Sequence, residues 1–367
     1  MTKNYQLVLN DIKSTDQMAL EQAKAHLNIL AKPPGSLGML EEIAARLCAI
    51  TRSPSPLIDK RCVIIAAADN GVVAEGVASA PEAVTAIQTL NIANGITGVG
   101  VIAKQFNADL IVADVGVNAD LQHPNLIDKK IRKSTNNLVI EHALSLQEVE
   151  LAIETGIELV KNAKESGYQL IGVGEMGIGN TTTSSAVLAA LLGLRNETIA
   201  NVVGKGAGLD EDAYANKIKV IETALSLHGP NQNDPIDILQ KVGGLDLATM
   251  TGVYIGAAYY GLPVVIDGFI SIVAALCATK LNPLTKEYMF ASHHSFERGY
   301  ILAMKELGLE PCLHLDMRLG EGSGCPLMFG IMDGALAVLK NMATFEAANI
   351  DTDYLEDIEK IGEGAFQ

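Results

Sequence analysis

Apolar residues recur at helical spacing near the start of the chain. This spacing predicts a helix over residues 15–31. The turn segment KPPGSLG (32–38) interrupts the pattern, and a second helix is predicted over 39–51. After SPSPLIDK (53–60) the pattern changes to short apolar runs that alternate with longer helical segments. We therefore expect a helical N-terminal region followed by an α/β region.

Five of the apolar runs are predicted to be buried strands that lead into loops. They are CVIIAAADNG (62–71), DLIVADVGV (109–117), YQLIGVGEMGIG (168–179), LPVVIDGF (262–269) and LHLDMRLGEGSG (313–324). Continuous apolar strands separated by helices are typical of a parallel sheet that is covered on both faces. We predict an α/β fold with a parallel, Rossmann-like sheet in a large domain of residues 59–341, and a small helical domain formed by residues 1–58 and 342–367.

Each predicted strand is followed by a loop with a carboxylate: Asp69, Asp114, Glu175, Asp267 and Glu321. Ligands of parallel sheets bind at the carboxyl ends of the strands, so we expect all five loops to face one cleft. For any single carboxylate, the alternative is a helix N-cap or a turn.

Composition narrows the class of protein. The chain has 367 residues, of which 49% are hydrophobic, enough for a large core. A net charge of −16 argues against nucleic acid as a partner. The five cysteines share no CxxC spacing, the start lacks a signal-peptide pattern, and no uninterrupted apolar window is long enough to span a membrane, so we expect a soluble cytoplasmic protein with reduced thiols.

The segment GEMGIGNTTTSSAVLAALLG (174–193) is the most informative stretch. A glycine-rich turn precedes an apolar helix, and the free N–H groups of a helix start bind anions. Gly177 and Gly179 would let the backbone approach a phosphate. Further donors follow in Asn180, Thr181 and Thr182. The segment is neither a Walker loop nor GxGxxG, and a simple helix start is the alternative.

Two lysines downstream are candidate counter-charges for that phosphate. Lys205 lies in the glycine-rich segment VGKGAGLDED (203–212), and Lys217 follows near the start of a predicted helix. Both could equally be solvated surface lysines.

A carboxylate between glycines, Glu321 in RLGEGSG (318–324), suggests a general base. The flanking glycines expose its side chain to a ligand, although a bulge or loop acid is the alternative. His293 and His294 show no recognisable third ligand, and no GxSxG or other nucleophile motif is present. We therefore predict neither a metal nor a cofactor.

These motifs together resemble one family. KPPGSLG (32–38), ADNGVVAEGV (68–77), DVGV (114–117), GEMGIGNTT (174–182), GGLDLA (243–248), VVIDGF (264–269), ASHHS (291–295) and RLGEGSG (318–324) are similar to those of the nicotinate-nucleotide:dimethylbenzimidazole phosphoribosyltransferases. The similarity runs from about residue 15 to the end. It implies the fold predicted above and a dimer with its active sites near the subunit interface.

The resemblance also implies the reaction. Glu321 matches the general base that takes a proton from an aromatic acceptor while the acceptor attacks C1′ of nicotinate mononucleotide. Inversion gives an α-riboside 5′-phosphate, the lower ligand used in cobamide and cobalamin assembly, and free nicotinate.

The remaining site residues are expected on the same basis. Residues expected to hold the nucleotide and its phosphate are Glu175, Gly177, Gly179, Asn180, Thr181, Thr182, Gly204, Lys217, Gly268 and Ser292. Residues expected to contact the acceptor, a benzimidazole, purine or phenol, are Ser79, Ala80, Met176 and Gln88.

The sequence departs from the family where the acceptor ring is expected. ASAPEAVTAIQ (78–88) replaces the common SAYPQEVTAQM, Asn70 replaces the His of ADHG, and KSTNN (133–137) replaces GTxN. Some relatives ribosylate phenols as two unlike subunits, so a homodimer and a heterodimer both stay open.

Two other functions compete with this interpretation. A supporting, non-catalytic subunit is disfavoured by the intact RLGEGSG, because such a chain has no need of Glu321. An NAD-dependent oxidoreductase would need GxGxxG after the first strand, which here ends in ADNGVV.

Overall fold

A computed structural model describes residues 4–206 and 208–352. The chain divides into two compact units. The first comprises Met1–Ser14 and Ile58–Met328, and the second comprises Thr15–Leu57 and Phe329–Gln367.

The first unit contains one sheet of six parallel strands in the order β3-β2-β1-β4-β5-β6. The strands are β1 Arg61–Ala68, β2 Ala108–Gly116, β3 Leu126–Asp128, β4 Leu170–Met176, β5 Val264–Ile266 and β6 Met289–Ala291. Every residue of β1, β4, β5 and β6 is buried, as expected for strands covered on both faces. The predicted fold class is confirmed, and four of the five predicted strands correspond to β1, β2, β4 and β5.

Thirteen α-helices lie in the described residues. In chain order they are α1 Tyr5–Asp11, α2 Gln17–Asn28, α3 Met39–Thr51, α4 Ala83–Ala93, α5 Gly98–Gln105, α6 Leu146–Glu165, α7 Asn180–Leu191, α8 Glu211–His228, α9 Pro235–Val242, α10 Leu245–Tyr260, α11 Phe269–Leu281, α12 Arg298–Leu307 and α13 Gly324–Asn341. Three short 3₁₀ helices cover Gly71–Glu75, Asn196–Asn201 and Pro283–Tyr288.

Two glycines bring α6 and α10 into close contact. A Cβ at Gly156 would collide with the carbonyl oxygen of Thr249, and one at Gly252 would collide with that of Ile153. The first fourteen residues of α10 are all buried, so this helix forms the centre of the core. Because α10 starts with the GGLDLA motif, the same packing fixes Asp246 in its first turn.

The fifth predicted strand, LHLDMRLGEGSG (313–324), is wrong. Only Leu313 forms a single parallel bridge, to His293, and the following residues form a loop that ends where α13 begins. Gly320, Glu321 and Gly322 all have positive φ values of 84°, 63° and 88°, which no strand can accommodate. The sixth strand of the sheet is instead β6, which the hydrophobic pattern did not single out.

In the second unit, the predicted helices 15–31 and 39–51 correspond to α2 and α3. The buried Lys32 of KPPGSLG pairs with Glu41 of α3 at 2.8 Å, and Leu30 bridges to Thr344. The predicted small domain of residues 1–58 and 342–367 stays a prediction, because residues 353–367 lie outside the described part of the chain. Residues 4–14 belong to the first unit.

One stretch of the described residues, Ala83–Gln105, is long and apolar enough to cross a membrane by length and composition alone. It consists of two helices, α4 and α5, separated by a turn in which Gly95 has a φ of 70°. Because a membrane span needs continuous backbone hydrogen bonding, this break argues against a transmembrane role. The cytoplasmic location stays a prediction.

Candidate active site

The strand order reverses between β1 and β4, and parallel sheets bind ligands at such a point. A cavity of about 330 Å³ lies here, at the carboxyl ends of β4 and β5. Glu175 and Met176 end β4 and line it, and Asp267 lines it directly after β5.

The turn after β4 gives the cavity an exposed helix N-terminus. Gly179 has a φ of 86° and occupies the N-cap of α7, so no side chain at that position covers the first N–H groups. A Cβ at Gly177 would collide with Ala68 O at the end of β1, and one at Gly179 would lie 2.6 Å from Val73 Cγ2. Both glycines are therefore needed for this geometry, which suits an anion.

Lys217 of α8 supplies a positive charge beside that helix. The side chain is fully buried, and Nζ donates to Thr181 Oγ1 at 2.9 Å and to Gly204 O at 3.1 Å. Burial lowers the pKa of Lys217 to about 8, although Glu297 opposes the shift. The other candidate, Lys205, also lines the cavity but is half-exposed and paired with Glu211 at 2.5 Å.

Three buried carboxyl groups surround the turn. Asn180 Nδ2 donates to Glu175 Oε2 and, at 3.2 Å, to Asp246 Oδ2. Burial, reinforced by the charge of Asp246, raises the pKa of Glu175 to about 8. Burial also raises the pKa of Asp246 to about 6 and that of Asp267 to about 7. Glu175 is therefore mainly protonated at neutral pH.

Glu321 lies in the loop before α13 and lines the same cavity as the start of α7. It is buried, its φ is 63°, and its backbone N–H donates to Glu175 Oε1 at 3.3 Å. Oε1 accepts from Gln88 Nε2 at 2.8 Å, and Oε2 accepts from the N–H of Val99 at 3.3 Å. A left-handed conformation costs a non-glycine residue about 1–2 kcal/mol, so surrounding contacts must hold it.

Asp267 provides part of that support. Oδ1 accepts from the N–H of Gly324 at 2.7 Å, and Oδ2 accepts from that of Gly322 at 3.1 Å. A Cβ at Gly322 would lie 2.7 Å from Val63 Cγ1. The loop of Glu321 is thus fixed against β1 and the end of β5.

In the described residues, neither His293 nor His294 belongs to a cluster that could hold a metal ion. Burial lowers the pKa of His293 to about 4, so this cavity-lining imidazole is neutral at pH 7. Within residues 4–206 and 208–352, no group of three or more His, Cys, Asp or Glu side chains is placed to hold a metal ion.

Twelve of the predicted site residues line the cavity. They are Ser79, Ala80, Gln88, Glu175, Met176, Gly177, Gly179, Asn180, Thr181, Lys217, Gly268 and Glu321. The other three lie behind its wall. Thr182 and Ser292 are fully buried, Ser292 Oγ donates to Asp267 O at 3.1 Å, and Gly204 contributes its carbonyl to Lys217.

The expectation that five carboxylates share one cleft is wrong for two of them. Asp69 Oδ2 accepts from the N–H of Asn118 at 2.8 Å. Asp114 pairs with Lys130 at 2.6 Å and accepts from the N–H of Val117 at 2.9 Å. Both stabilise loops, as the alternative interpretation of each carboxylate allowed.

Two of the sequence departures do not line the cavity. Asn70 is fully buried behind the turn after β4, with Nδ2 3.5 Å from Ile178 O. In KSTNN (133–137), Thr135 Oγ1 accepts from the N–H of Gly71 at 3.0 Å. Both positions support the loop after β1, and only the change at 78–88 alters the cavity.

Several residues of the site carried no assigned role in the sequence analysis. Glu297 lines the cavity beside Lys217, and burial raises its pKa. Asp246 was visible only as part of GGLDLA, and Val99 contributes a backbone N–H, which no sequence motif reveals.

The chain is similar over most of its length to known phosphoribosyltransferases. A family model described as phosphoribosyltransferase matches residues 12–350. The nicotinate-nucleotide–dimethylbenzimidazole phosphoribosyltransferase of Clostridium perfringens is 54% identical over 352 residues, which cover 96% of this chain and 97% of the relative. The enzyme of the same name from Ruminiclostridium cellulolyticum is 47% identical and covers 95% and 98%.

A crystal structure of the nicotinate-nucleotide–dimethylbenzimidazole phosphoribosyltransferase from Thermus thermophilus has the same fold. The TM-score is 0.86 at 38% identity, with 92% of this chain and 99% of that chain covered. The chain therefore belongs to the nicotinate-nucleotide–dimethylbenzimidazole phosphoribosyltransferase family and is a pentosyltransferase.

Proposed function

We propose that the chain transfers the 5-phosphoribosyl group of nicotinate mononucleotide to an aromatic base such as 5,6-dimethylbenzimidazole, with inversion. The products are α-ribazole 5′-phosphate and nicotinate. The observation that carries this proposal is that a held carboxylate, Glu321, lines the same cavity as the open N-terminus of α7 and the buried Lys217.

The 5′-phosphate binds at the start of α7. The N–H groups of this turn, Thr181 Oγ1 and Lys217 Nζ are donors, and the helix dipole adds favourable charge. An incoming phosphate would replace the hydrogen bond that Lys217 now makes to Thr181. Binding also favours the charged lysine, which burial disfavours in the free protein.

Glu175 binds the ribose. Its raised pKa leaves it protonated at neutral pH, so it can donate to a ribose hydroxyl as well as accept from one. Asn180 Nδ2 donates to Oε2 of Glu175 and so fixes this carboxyl group relative to the phosphate-binding helix.

Glu321 acts as the general base. The pyridine-like nitrogen of the acceptor attacks C1′ of the ribose with its lone pair. The C1′–N bond to nicotinate breaks, and its electron pair neutralises the pyridinium. Glu321 takes the proton from the second acceptor nitrogen, and attack opposite the leaving group converts the β-linkage to α.

The acceptor lies beside Ser79, Ala80, Met176 and Gln88, which line the cavity. Ala80 stands where the family commonly has an aromatic side chain, so more space is left here beside a bicyclic acceptor such as dimethylbenzimidazole. The names of these relatives, both dimethylbenzimidazole enzymes, support the same choice.

Product identification tests the proposal. The purified chain is incubated alone with nicotinate mononucleotide and, separately, 5,6-dimethylbenzimidazole, adenine, phenol and p-cresol, and products are analysed by mass spectrometry. We expect an N-riboside phosphate with dimethylbenzimidazole. O-ribosides would indicate the phenol-using reaction, and no product with any acceptor would favour a supporting subunit. Size-exclusion chromatography of the active fraction tests the predicted dimer and its homomeric form.

A further inference from the structure

Gln88 donates a hydrogen bond to Glu321 and itself accepts one from Asn91. Gln88 and Asn91 lie three residues apart on α4, a spacing that brings their side chains together on one face of a helix. Asn91 Nδ2 donates to Gln88 Oε1 at 3.1 Å, and Gln88 Nε2 donates to Glu321 Oε1 at 2.8 Å.

The hydrogen bond from Asn91 fixes which end of the Gln88 side-chain amide faces Glu321. Since Gln88 Oε1 is occupied as an acceptor, the amide can present only its NH₂ group to Glu321. The second carboxylate oxygen accepts from the N–H of Val99. Both oxygens of Glu321 therefore receive donors from the protein, and each keeps a lone pair for a substrate proton.

We propose that Gln88 and Asn91 are positioning residues that orient the Glu321 carboxylate as a proton acceptor. Asn91 acts through Gln88, and Gln88 acts through Glu321. The inference rests on the proposed function and adds a residue, Asn91, that lies outside the cavity lining.

We call the hydrogen-bonded chain from Asn91 through Gln88 to Glu321 the relay. Its role is distinct from that of Gln88 as a residue that lines the cavity beside the acceptor. A wall residue changes acceptor binding through its shape, and Asn91 is then irrelevant. A relay makes the chemical step depend on Asn91. Two carboxyl groups lie close to Glu321: Glu175, whose Oε1 accepts its backbone N–H, and Asp267, whose pKa is raised mainly by burial and further by the charge of Glu321.

Two variants test the relay. Asn91→Asp cannot donate to Gln88, so the amide rotates to donate to the new carboxylate and turns its oxygen toward Glu321. Gln88→Met keeps the length of the side chain and removes the donor. A hydrogen bond to a charged group is worth enough for each variant to lower kcat about tenfold or more. We expect the KM for nicotinate mononucleotide to stay within about twofold, because neither side chain contacts the phosphate site.

A double variant and a matched control sharpen the test. If Asn91 acts only through Gln88, Gln88→Met/Asn91→Asp has the kcat of Gln88→Met alone. Asn94→Asp adds the same charge three residues further along, at the C-cap of α4, where the native side-chain amide donates to Leu90 O, and should leave kcat unchanged. The acidic limb of the kcat–pH profile should move to higher pH in both relay variants and not in the control.

Carbon-13 NMR of glutamate carboxyl groups reads the relay without turnover. The resonance of Glu321 is assigned by its loss in Glu321→Gln, and we expect its chemical shift to change in Asn91→Asp and Gln88→Met and not in Asn94→Asp, because the donor from Gln88 is lost only in the first two. Wild-type kcat with an unchanged Glu321 resonance in Asn91→Asp, or additive losses in the double variant, would overturn the relay. Inactive wild-type protein whose Glu321 resonance changes in the two relay variants would instead refute the proposed function and leave the relay supported.

Discussion

The two ends of the cavity are built from different kinds of structure. At the phosphate end, one contiguous segment from β4 through α7 supplies the turn, the helix N-terminus and Thr181, and one buried lysine completes it. At the base end, Glu321 lies in a strained loop and is held by residues far away in sequence. Its bond to Gln88 joins positions 233 residues apart.

This difference separates binding from chemistry. The phosphate end is positively polarised and suits the charge of the nucleotide. At the base end, Gln88 and the N–H of Val99 donate to the carboxylate of Glu321, an arrangement that orients it for proton removal. We therefore expect substitutions at the two ends to affect different kinetic constants.

The largest effect is expected at the base end. Glu321→Gln keeps the shape and removes the base, so kcat should fall roughly 10²–10⁴-fold while the KM for nicotinate mononucleotide changes little. Steady-state kinetics with dimethylbenzimidazole measures both constants. Glu165→Gln, at an exposed position at the end of α6, is the control and should match wild type. Unchanged turnover in Glu321→Gln would remove Glu321 from the mechanism.

The next largest effect is expected at the phosphate end. Lys217→Gln removes the buried charge, so the KM for nicotinate mononucleotide should rise roughly 10–100-fold, with a smaller change in kcat. Lys219→Gln, two residues along the same helix and exposed, is the matched control. A loss confined to kcat would contradict the assignment of Lys217 to phosphate binding.

The pH dependence should come from the phosphate end as well. The pKa of Lys217 is about 8 in the free protein, below its usual value, so the binding-competent charged form is lost as pH rises through 8. The kcat/KM for nicotinate mononucleotide should then fall by up to about tenfold per pH unit. Glu175 also has a pKa of about 8, so the profile is repeated with Glu175→Gln. The decline should persist there and disappear in Lys217→Gln.

The smallest effect is expected at the acceptor wall. Ala80→Tyr restores the aromatic side chain common in the family and fills space beside the acceptor. Because the family's dimethylbenzimidazole enzymes commonly carry this aromatic side chain, the kcat/KM for dimethylbenzimidazole should rise roughly threefold and that for phenol less, as expected for stacking on the larger ring. Competition between the two acceptors in one reaction measures the ratio, and an unchanged ratio would place the acceptor elsewhere.

The sequence predicted the secondary structure of the phosphate end well because these elements are local. The strand, the glycine turn and the hydroxyl-rich start of α7 all lie within residues 168–193, and α3 occupies the predicted residues 39–51. Periodicity and glycine placement are enough for such elements.

The base end was harder because distant contacts determine it. The glycines of RLGEGSG pointed to Glu321 as a candidate base. The segment that contains it, residues 313–324, was predicted to be a strand, but the positive φ values of Gly320, Glu321 and Gly322 rule out a strand there. The short edge strands β3 and β6 have three residues each, too few for a clear pattern. Asp69 and Asp114 could not be told from Glu175 and Asp267, since all four lie near the carboxyl ends of strands or directly after them.

Calorimetric titration of nicotinate mononucleotide into Glu321→Gln, without any acceptor, tests the separation of binding from chemistry most directly. We expect this variant to bind the nucleotide with the dissociation constant of the wild-type protein although turnover is lost. Weakened nucleotide binding in this variant, in step with the loss of turnover, would contradict this expectation.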